Sequence, residues 1–236
     1  GGGTQAIELA SIYTALGAEV HLVLPTGSVL EQFGDGVRNF LLDAIRRQAT
    51  VHASVEVVSA TDDGDRWHLA LSNDSTITVN DVVLAGPRAP AIDTLELNRT
   101  AVRLNADGWI ETDDAMRTTD PRLLAIGDVV GRGALASTAR MQGRVAAETV
   151  AGWNSACDAH LVPRVAWLDP PLAWCGHRPH APEVATRTLA WRDHGAAAGA
   201  GATPDGITEI IYEADTGLLL GASTIGAGSP QFIGQL

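Results

Sequence analysis

Residues 1–24 read GGGTQAIELASIYTALGAEVHLVL. Apolar residues recur at helical spacing between positions 6 and 16, and Gly17 follows as a helix stop signal. Residues 20–24 have the apolar, β-branched character of a buried strand. The order of glycine turn, helix and strand is the second half of a βαβ unit. We expect the strand that normally precedes the glycines to be missing from the chain.

The glycine pattern Gly1-x-Gly3-x-x-Ala6 suits a turn that aims helix amides at a pyrophosphate group. Taken alone the pattern is weak, because a flexible glycine-rich end has the same appearance. The segment Leu24-Pro25-Thr26 stands where an Asp or Glu would bind the ribose of NAD, and no Arg replaces that residue directly. The residues therefore leave the choice between NAD and NADP open.

The next part of the chain alternates a helix with short β-like runs. Residues 37–47 have the pattern of a helix that packs on a sheet, and residues 51–59, 67–72 and 76–84 predict strands. The acidic run 62–65 lacks the twelve-residue ligand pattern of a calcium loop, so we interpret it as a hairpin turn.

Residues 124–130 form an apolar run that contains Gly127 and Asp128, and an alanine-rich helix follows to about Ala151. We expect a strand that places the Asp128 carboxylate at its tip, beside a helix N-terminus with free amides. Such a carboxylate can accept hydrogen bonds from the hydroxyls of a sugar-like polyol. Alternatively, Asp128 opens a turn or caps a helix. The spacing alone does not separate the two interpretations.

Composition excludes several classes of protein. The chain has 28 acidic and 16 basic residues and a net charge of -12, which argues against nucleic acid and anionic membranes as partners. Every basic residue is Arg. Chemistry that needs a lysine, such as a Schiff base or a Walker-type phosphate site, is therefore excluded for these residues.

Cysteine and histidine usage indicates neither a disulfide scaffold nor a metal site. Cys157 and Cys175 are too far apart for a Cys-x-x-Cys motif, so a reducing compartment fits best. With no apolar run long enough for a membrane span and no signal-peptide pattern, we expect a cytoplasmic protein. His177, His180 and His194 lack acidic or Cys ligands at suitable spacing, so we expect no metal. The run around Ala196 predicts a flexible loop.

Six segments, taken in order, resemble the flavoprotein pyridine nucleotide-disulfide oxidoreductases. They are GGGTQAIELASIYTALGAEV, ITVNDVVLAGPRAP, GWIETDDAMRTTDPRLLAIGDVVG, LASTARMQGRVAAE, VPRVAWLDPPLAWCG and TGLLLGASTIGAGSP. Each motif is loose, but all six in the family's order are a specific signal. The segments ELASIY, GDVVG through QGRVAA, and IGQ are most similar to the soluble pyridine nucleotide transhydrogenases. The dihydrolipoyl dehydrogenases are the next most similar group.

The resemblance implies an α/β fold in three segments and the cofactors FAD and NAD(P). Residues 1–84 would form a Rossmann-like NAD(P)-binding domain whose first strand is missing. Residues 85–153 would be the returning part of an FAD-binding domain. Residues 154–236 would be a truncated α+β interface domain, through which the full-length chain forms a homodimer.

The same resemblance implies a nucleotide site near the start of the chain. Gly1, Gly3 and Ala6 match the dinucleotide turn, and Gly86 matches the glycine that closes the NAD(P) side. Glu8 matches an acidic residue near the nicotinamide and the flavin, and would be the catalytic candidate. A Glu in the first turn of a helix is also favourable for the helix dipole alone.

A flavin site is implied in the second segment. Asp128 matches the aspartate that binds the FAD ribityl chain, with Gly127 beside it, and Leu135 and Ala136 match residues near the isoalloxazine.

Several positions depart from the family pattern. Ala6 replaces a third glycine, as in many NADP-using members, and Arg88 is what remains of an arginine-rich element. Gln142 stands where the family usually has Glu, and Ser137-Thr138 where it usually has His-Lys. These departures favour the transhydrogenase-like branch.

For the full-length enzyme the resemblance implies hydride transfer from NAD(P)H to FAD, with the other nicotinamide nucleotide as final acceptor. The alternatives within the family are dihydrolipoyl dehydrogenase or another disulfide, quinone or mercuric reductase. The disulfide route needs paired cysteines and a His-Glu dyad, and this chain contains neither. We expect the chain to be a fragment that is inactive alone. A non-catalytic nucleotide-binding protein and a dimerisation module stay open as alternatives of another class.

Overall fold

The computed structural model describes residues 1–176, 184–193 and 205–235. His177, His180, His194 and the run around Ala196 lie outside the described residues, so their interpretation stays a prediction. The α-helices and strands, numbered in chain order, are α1 Thr4–Ala15, β1 His21–Leu24, α2 Asp35–Arg46, β2 Thr50–Ala53, β3 Val57–Asp62, β4 Trp67–Leu71, β5 Thr76–Val79, α3 Ala136–Val150, β6 Arg164–Ala166, β7 Leu172–Gly176, β8 Val184–Ala190, β9 Gly206–Glu213, β10 Leu219–Gly226 and α4 Ser229–Phe232. None of the described helices is long and apolar enough to cross a lipid bilayer.

The chain divides into two compact units. The first unit combines Gly1–Gly86 with Val165–Leu236, and the second unit is Pro87–Arg164. The division by cofactor, at residues 84 and 153, stays a prediction, because compactness does not show which cofactor a segment holds.

Three sheets build the first unit. Strands β1 and β2 pair in parallel, from His21 opposite Thr50 to Leu24 opposite Ala53, and α2 supplies the crossover that parallel pairing requires. Strands β3, β4 and β5 form an antiparallel meander. The remaining strands form a five-stranded sheet in the order β6-β7-β10-β9-β8.

One apolar cluster joins the two stretches of chain that make up the first unit. Leu24 of β1 is fully buried and shares this cluster with Ile7 of α1 and Leu41 of α2. Leu172 of β7 and Ile225 of β10 are also fully buried and belong to the same cluster. Burial of apolar side chains dominates folding, so the late strands stabilise the helices at the start of the chain.

Two predicted strands of the first unit differ from the structure. The run 51–59 is not continuous: β2 ends before Ser54, which has a left-handed φ of 58°, and β3 starts at Val57. The Ser54 N–H donates to the Leu24 carbonyl oxygen at 2.8 Å, which fixes this break. The run 76–84 ends as a strand at Val79, and Leu84 is 91% exposed.

The second unit has small apolar clusters and many polar side chains that bond its backbone. The Asn105 side chain accepts hydrogen bonds from the N–H groups of Asp107 and Trp109, each at 3.0 Å. The strand predicted at 124–130 is wrong: Leu124 makes an isolated bridge to Arg117, and Gly127–Val130 is a 3-10 turn. Gly127 has a φ of 78°, which turns the chain out of the extended conformation.

Asp120 is a buried carboxylate of the second unit that accepts several hydrogen bonds. Its side chain is 2% exposed and accepts from the Arg122 guanidinium at 2.9 and 3.1 Å. The N–H groups of Ala101 and Arg122 also donate to it. The hydrogen bond from the Arg122 side chain is the largest cause, and the backbone hydrogen bonds add to it. Together they hold the pKa of Asp120 well below its usual range.

We expect Asp120→Asn to lower the thermal midpoint at pH 7. A lowered pKa in the folded state adds stability above the unfolded pKa of about 4, and this stability is lost as the pH falls toward the folded pKa. The deficit of the variant should therefore shrink between about pH 5 and about pH 2. Asp107→Asn, at an exposed turn, is the control. A deficit that does not change with pH would show that the charge of Asp120 is not involved.

Candidate functional site

The glycine turn presents an open helix N-terminus. Gly3 is the N-cap of α1, and the first intrahelical bond runs from the Ile7 N–H to the Gly3 carbonyl oxygen at 3.2 Å. The N–H groups of Thr4, Gln5 and Ala6 therefore lack an intrahelical acceptor. A Cβ atom placed on Gly3 would meet no heavy atom within 4 Å. The turn thus offers free amides and the positive end of a helix dipole, which suits an anionic group such as a pyrophosphate.

Gly2 positions this turn against the end of β1. Its carbonyl oxygen accepts from the Leu30 N–H at 2.8 Å, and the Gly1 nitrogen donates to the Val23 carbonyl oxygen at 2.9 Å. A Cβ atom on Gly2 would overlap the carbonyl oxygen of Ser28. Sequence reasoning selected Gly1 and Gly3 and missed Gly2. The signal was available, since the chain has three consecutive glycines where the nucleotide pattern needs two.

Ala6 and Gly86 occupy different environments. Ala6 is 6% exposed and belongs to the main apolar cluster, so its methyl group lies in the packing between α1 and the sheet. Gly86 is exposed, and a Cβ atom placed on it would meet nothing within 4 Å. The preceding carbonyl, that of Ala85, lies 3.2 Å from where a Cβ atom of Gly1 would be. The structure therefore brings the segment at Gly86 beside the glycine turn.

The end of β1 carries no carboxylate. Leu24 is fully buried, and exposed Pro25 and Thr26 follow it. These three positions therefore contain no acidic side chain that could bind the ribose hydroxyls of an adenosine group.

Glu8 has a structural partner. It lies in the second turn of α1 rather than the first, so the expected dipole benefit does not apply. Its Oε1 accepts from the backbone N–H of Trp167 at 2.7 Å. This bond ties α1 to the segment that precedes β7.

The second candidate site lies in the second unit, at the turn that contains Asp128. The Gly127 N–H donates to Oε1 of Gln142 at 2.6 Å, and the Asp128 carbonyl oxygen accepts from the Gly131 N–H at 3.0 Å. The Asp128 side chain is 56% exposed, and its Oδ2 accepts from Nη1 of Arg88 at 3.2 Å. The turn is thus held by its neighbours while the carboxylate stays accessible.

The N-terminus of α3 adds free donors to the second unit. Leu135 is its N-cap, and the first intrahelical bond runs from the Ala139 N–H to the Leu135 carbonyl oxygen. The N–H groups of the first three residues, which include Ala136, therefore lack an intrahelical acceptor. Two buried polar atoms of α3, Thr138 Oγ1 and Gln142 Nε2, have no hydrogen-bond partner among the described residues. Unpaired buried polar atoms are costly, which fits a region built to meet a polar ligand.

Gln142 is identified in the sequence only as a departure from the family pattern and is not assigned to the site there. It is fully buried, and its one recorded bond fixes the backbone beside Asp128. The available signal was a polar side chain at helical spacing between Thr138 and Val145, the other buried residues of α3.

Cys157 is a free thiol. Cys157 is 3% exposed, and burial raises its pKa, which keeps the thiol protonated near neutral pH. Among the residues that the structure describes, no group of three or more His, Cys, Asp or Glu side chains could hold a metal ion.

Comparison with known proteins gives consistent results. The model of the pyridine nucleotide-disulphide oxidoreductase family matches residues 1–143. Dihydrolipoyl dehydrogenases from Buchnera aphidicola subsp. Schizaphis graminum and from Haemophilus influenzae are 27% and 28% identical over the whole of this chain. The match covers 52% and 51% of those proteins, so the chain spans about half the length of the curated relatives it matches.

Solved structures show the same fold at lower identity. LpdA from Mycobacterium tuberculosis superposes with a TM-score of 0.83 at 21% identity, covering 98% of this chain and 52% of that one. The HOCl-induced flavoprotein disulfide reductase RclA from Escherichia coli gives a TM-score of 0.83 at 20% identity, with coverages of 99% and 55%. The likeness confirms the predicted fold.

Gly2 and Gly3 provide a test that separates folding from binding. Gly2→Ala should lower the free energy of unfolding by roughly 1–3 kcal/mol, because its methyl group would overlap backbone. Gly3→Ala should change stability by less than about 0.5 kcal/mol, because its methyl group meets open space. It should nevertheless weaken NAD(P)H binding about tenfold by obstructing the approach to the α1 amides.

Urea unfolding and fluorescence titration with NADH and NADPH measure the two effects. Equal nucleotide affinity for Gly3→Ala and the parent would argue against a dinucleotide at this turn.

Proposed function

The chain belongs to the pyridine nucleotide-disulphide oxidoreductase family, and from this premise we propose that it is part of an FAD-dependent NAD(P)H oxidoreductase. The observation that carries the proposal is the open glycine turn at Gly3, where the first amides of α1 lack intrahelical acceptors and a Cβ atom would meet open space. Its location at the end of a parallel strand is where α/β folds bind dinucleotides.

On this proposal the first unit holds the nicotinamide nucleotide. Gly1 and Gly3 let the backbone approach the pyrophosphate, and the α1 amides bind it. Ala6 keeps α1 close to the sheet, and Gly86 leaves space at the edge of the same turn. The missing carboxylate at Leu24 leaves NAD and NADP both as candidates.

The second unit contributes to the flavin site. The Asp128 carboxylate would accept hydrogen bonds from ribityl hydroxyls, and the first amides of α3, including that of Ala136, would bind a carbonyl of the ring system. Gly127 lets the turn form, and Leu135 is the N-cap residue from which α3 begins. Bound FAD supplies the acceptance of a hydride and the passage of its electrons to a second substrate. The protein's residues bind, orient and shield the reactants.

Two alternative candidates for the final electron acceptor are supported. Gln142 and Ser137-Thr138, in place of the family's usual Glu and His-Lys, favour a second nicotinamide nucleotide and hence a transhydrogenase. The names of the relatives favour dihydrolipoyl dehydrogenase. A disulfide acceptor needs a redox cysteine pair and a His-Glu dyad. The presence or absence of these groups in the complete coding sequence would separate the two acceptors.

We further propose that residues 154–236 form the dimer interface of the intact protein. The five-stranded sheet in this segment is the largest sheet among the described residues and suits a subunit contact. A cytoplasmic location fits the proposal, since NAD(P)H is available there and Cys157 is a free thiol.

Glu8 can be tested through its charge. Glu8→Gln retains an acceptor for the Trp167 N–H and should change stability by less than about 0.5 kcal/mol. Because Glu8 would lie near the nicotinamide and flavin, the loss of its charge should slow flavin reduction by NAD(P)H about tenfold. Stopped-flow absorbance of the intact protein measures this rate. An unchanged rate would show that Glu8 has only a structural role, through its bond to Trp167.

Asp128→Asn tests the flavin site. The substitution keeps the shape of the side chain but removes the charge that strengthens hydrogen bonds from hydroxyls, so FAD affinity should fall about tenfold or more. The measurement is FAD fluorescence quenching by the protein expressed over its complete coding sequence. Asp107→Asn serves as a control in the same unit and should bind FAD like the parent. Equal affinity for Asp128→Asn would overturn the assignment.

A further inference from the structure

Arg88 and Asp128 form an ion pair that stability alone does not account for. Nη1 of Arg88 lies 3.2 Å from Oδ2 of Asp128, and the residues are forty positions apart within the second unit. The two side chains are 49% and 56% exposed. Half-exposed ion pairs add little to the free energy of folding, so a pair formed across such a distance in sequence has another consequence.

That consequence is the orientation of the Asp128 carboxylate. The backbone of the turn is already fixed by the bond from the Gly127 N–H to Gln142 and by the bond from the Gly131 N–H to the Asp128 carbonyl oxygen. These bonds leave the Asp128 side chain free to rotate. The bond from Arg88 to Oδ2 restricts that rotation.

The arrangement also leaves binding capacity on the carboxylate. An ionised carboxylate has about four acceptor positions on its two oxygens. Arg88 uses Oδ2, and in the part of the chain that the structure describes no hydrogen bond to Oδ1 is recorded.

We propose that Arg88 is a positioning residue, which holds Asp128 so that its carboxylate is oriented for the hydroxyls of a flavin ribityl chain. This inference rests on the proposed function, which assigns those hydroxyls to Asp128. Preorganisation of this kind raises affinity because the side chain loses less freedom on binding. Arg88 acts through Asp128 and need not contact the flavin.

A double-mutant cycle tests the proposal on the protein expressed over its complete coding sequence, with FAD as the probe. Arg88→Met should weaken FAD binding about fivefold to tenfold, and Arg88→Lys should recover part of the loss because it keeps a cation of similar reach. In the Asp128→Asn background, Arg88→Met should have no further effect, because its partner charge is already gone. The absorption spectrum of bound flavin gives a second readout.

Arg99→Met is the matched control. Arg99 forms an exposed ion pair with Glu96 in the same unit, so its removal takes away an arginine without affecting Asp128. FAD affinity and the flavin spectrum should match the parent. Thermal midpoints of all variants show whether each one folds, and Arg88→Lys provides the test if Arg88→Met does not.

Three outcomes would contradict these ideas, each in its own way. Unchanged affinity in Arg88→Met would overturn the positioning role and leave the proposed function intact. An equal loss in the Asp128→Asn background would show that Arg88 contacts the flavin directly, which also overturns positioning. Unchanged affinity in Asp128→Asn would instead overturn the flavin assignment itself.

Discussion

The close contact between Gly2 and the loop after β1 sets the geometry of the first unit. Its carbonyl oxygen accepts from the Leu30 N–H, and the absence of a side chain lets it approach the Ser28 carbonyl. This contact fixes where α1 begins relative to the end of β1. The burial of Ile7 and the exposure of the α1 amides both follow from that starting point. Packing and ligand access are thus determined together by one residue that has no side chain.

Local sequence patterns predicted the elements that depend on neighbouring residues or on a strong hydrophobic period. The helix after the glycines, strand β1 and α3 lie where the apolar spacing put them. Predictions failed where one backbone torsion angle changes the course of the chain. A left-handed Ser54 divides one predicted strand, and a left-handed Gly127 replaces another with a 3-10 turn. Hydrophobic periodicity contains no information about such angles, and tertiary hydrogen bonds select them.

The candidate sites were predictable to the extent that they depend on residue type. Glycines before a helix and an aspartate after an apolar run carry that information in sequence. The contacts that support them do not, because Gln142 and Arg88 reach the Asp128 turn from distant positions. The same holds for Glu8, whose bond to Trp167 joins residues from opposite parts of the chain. No local window of sequence contains both members of these pairs.

The main apolar cluster of the first unit has a consequence for biosynthesis. Ile7, Leu24 and Leu41 leave the ribosome well before Leu172 and Ile225, which belong to the same cluster. Between those events the whole second unit is translated. Contacts that are distant in sequence form slowly, and apolar surface exposed in the interval promotes aggregation. The nascent chain therefore passes through a stage at which chaperones have an exposed apolar surface to bind, and that stage ends only when β7 and β10 have emerged.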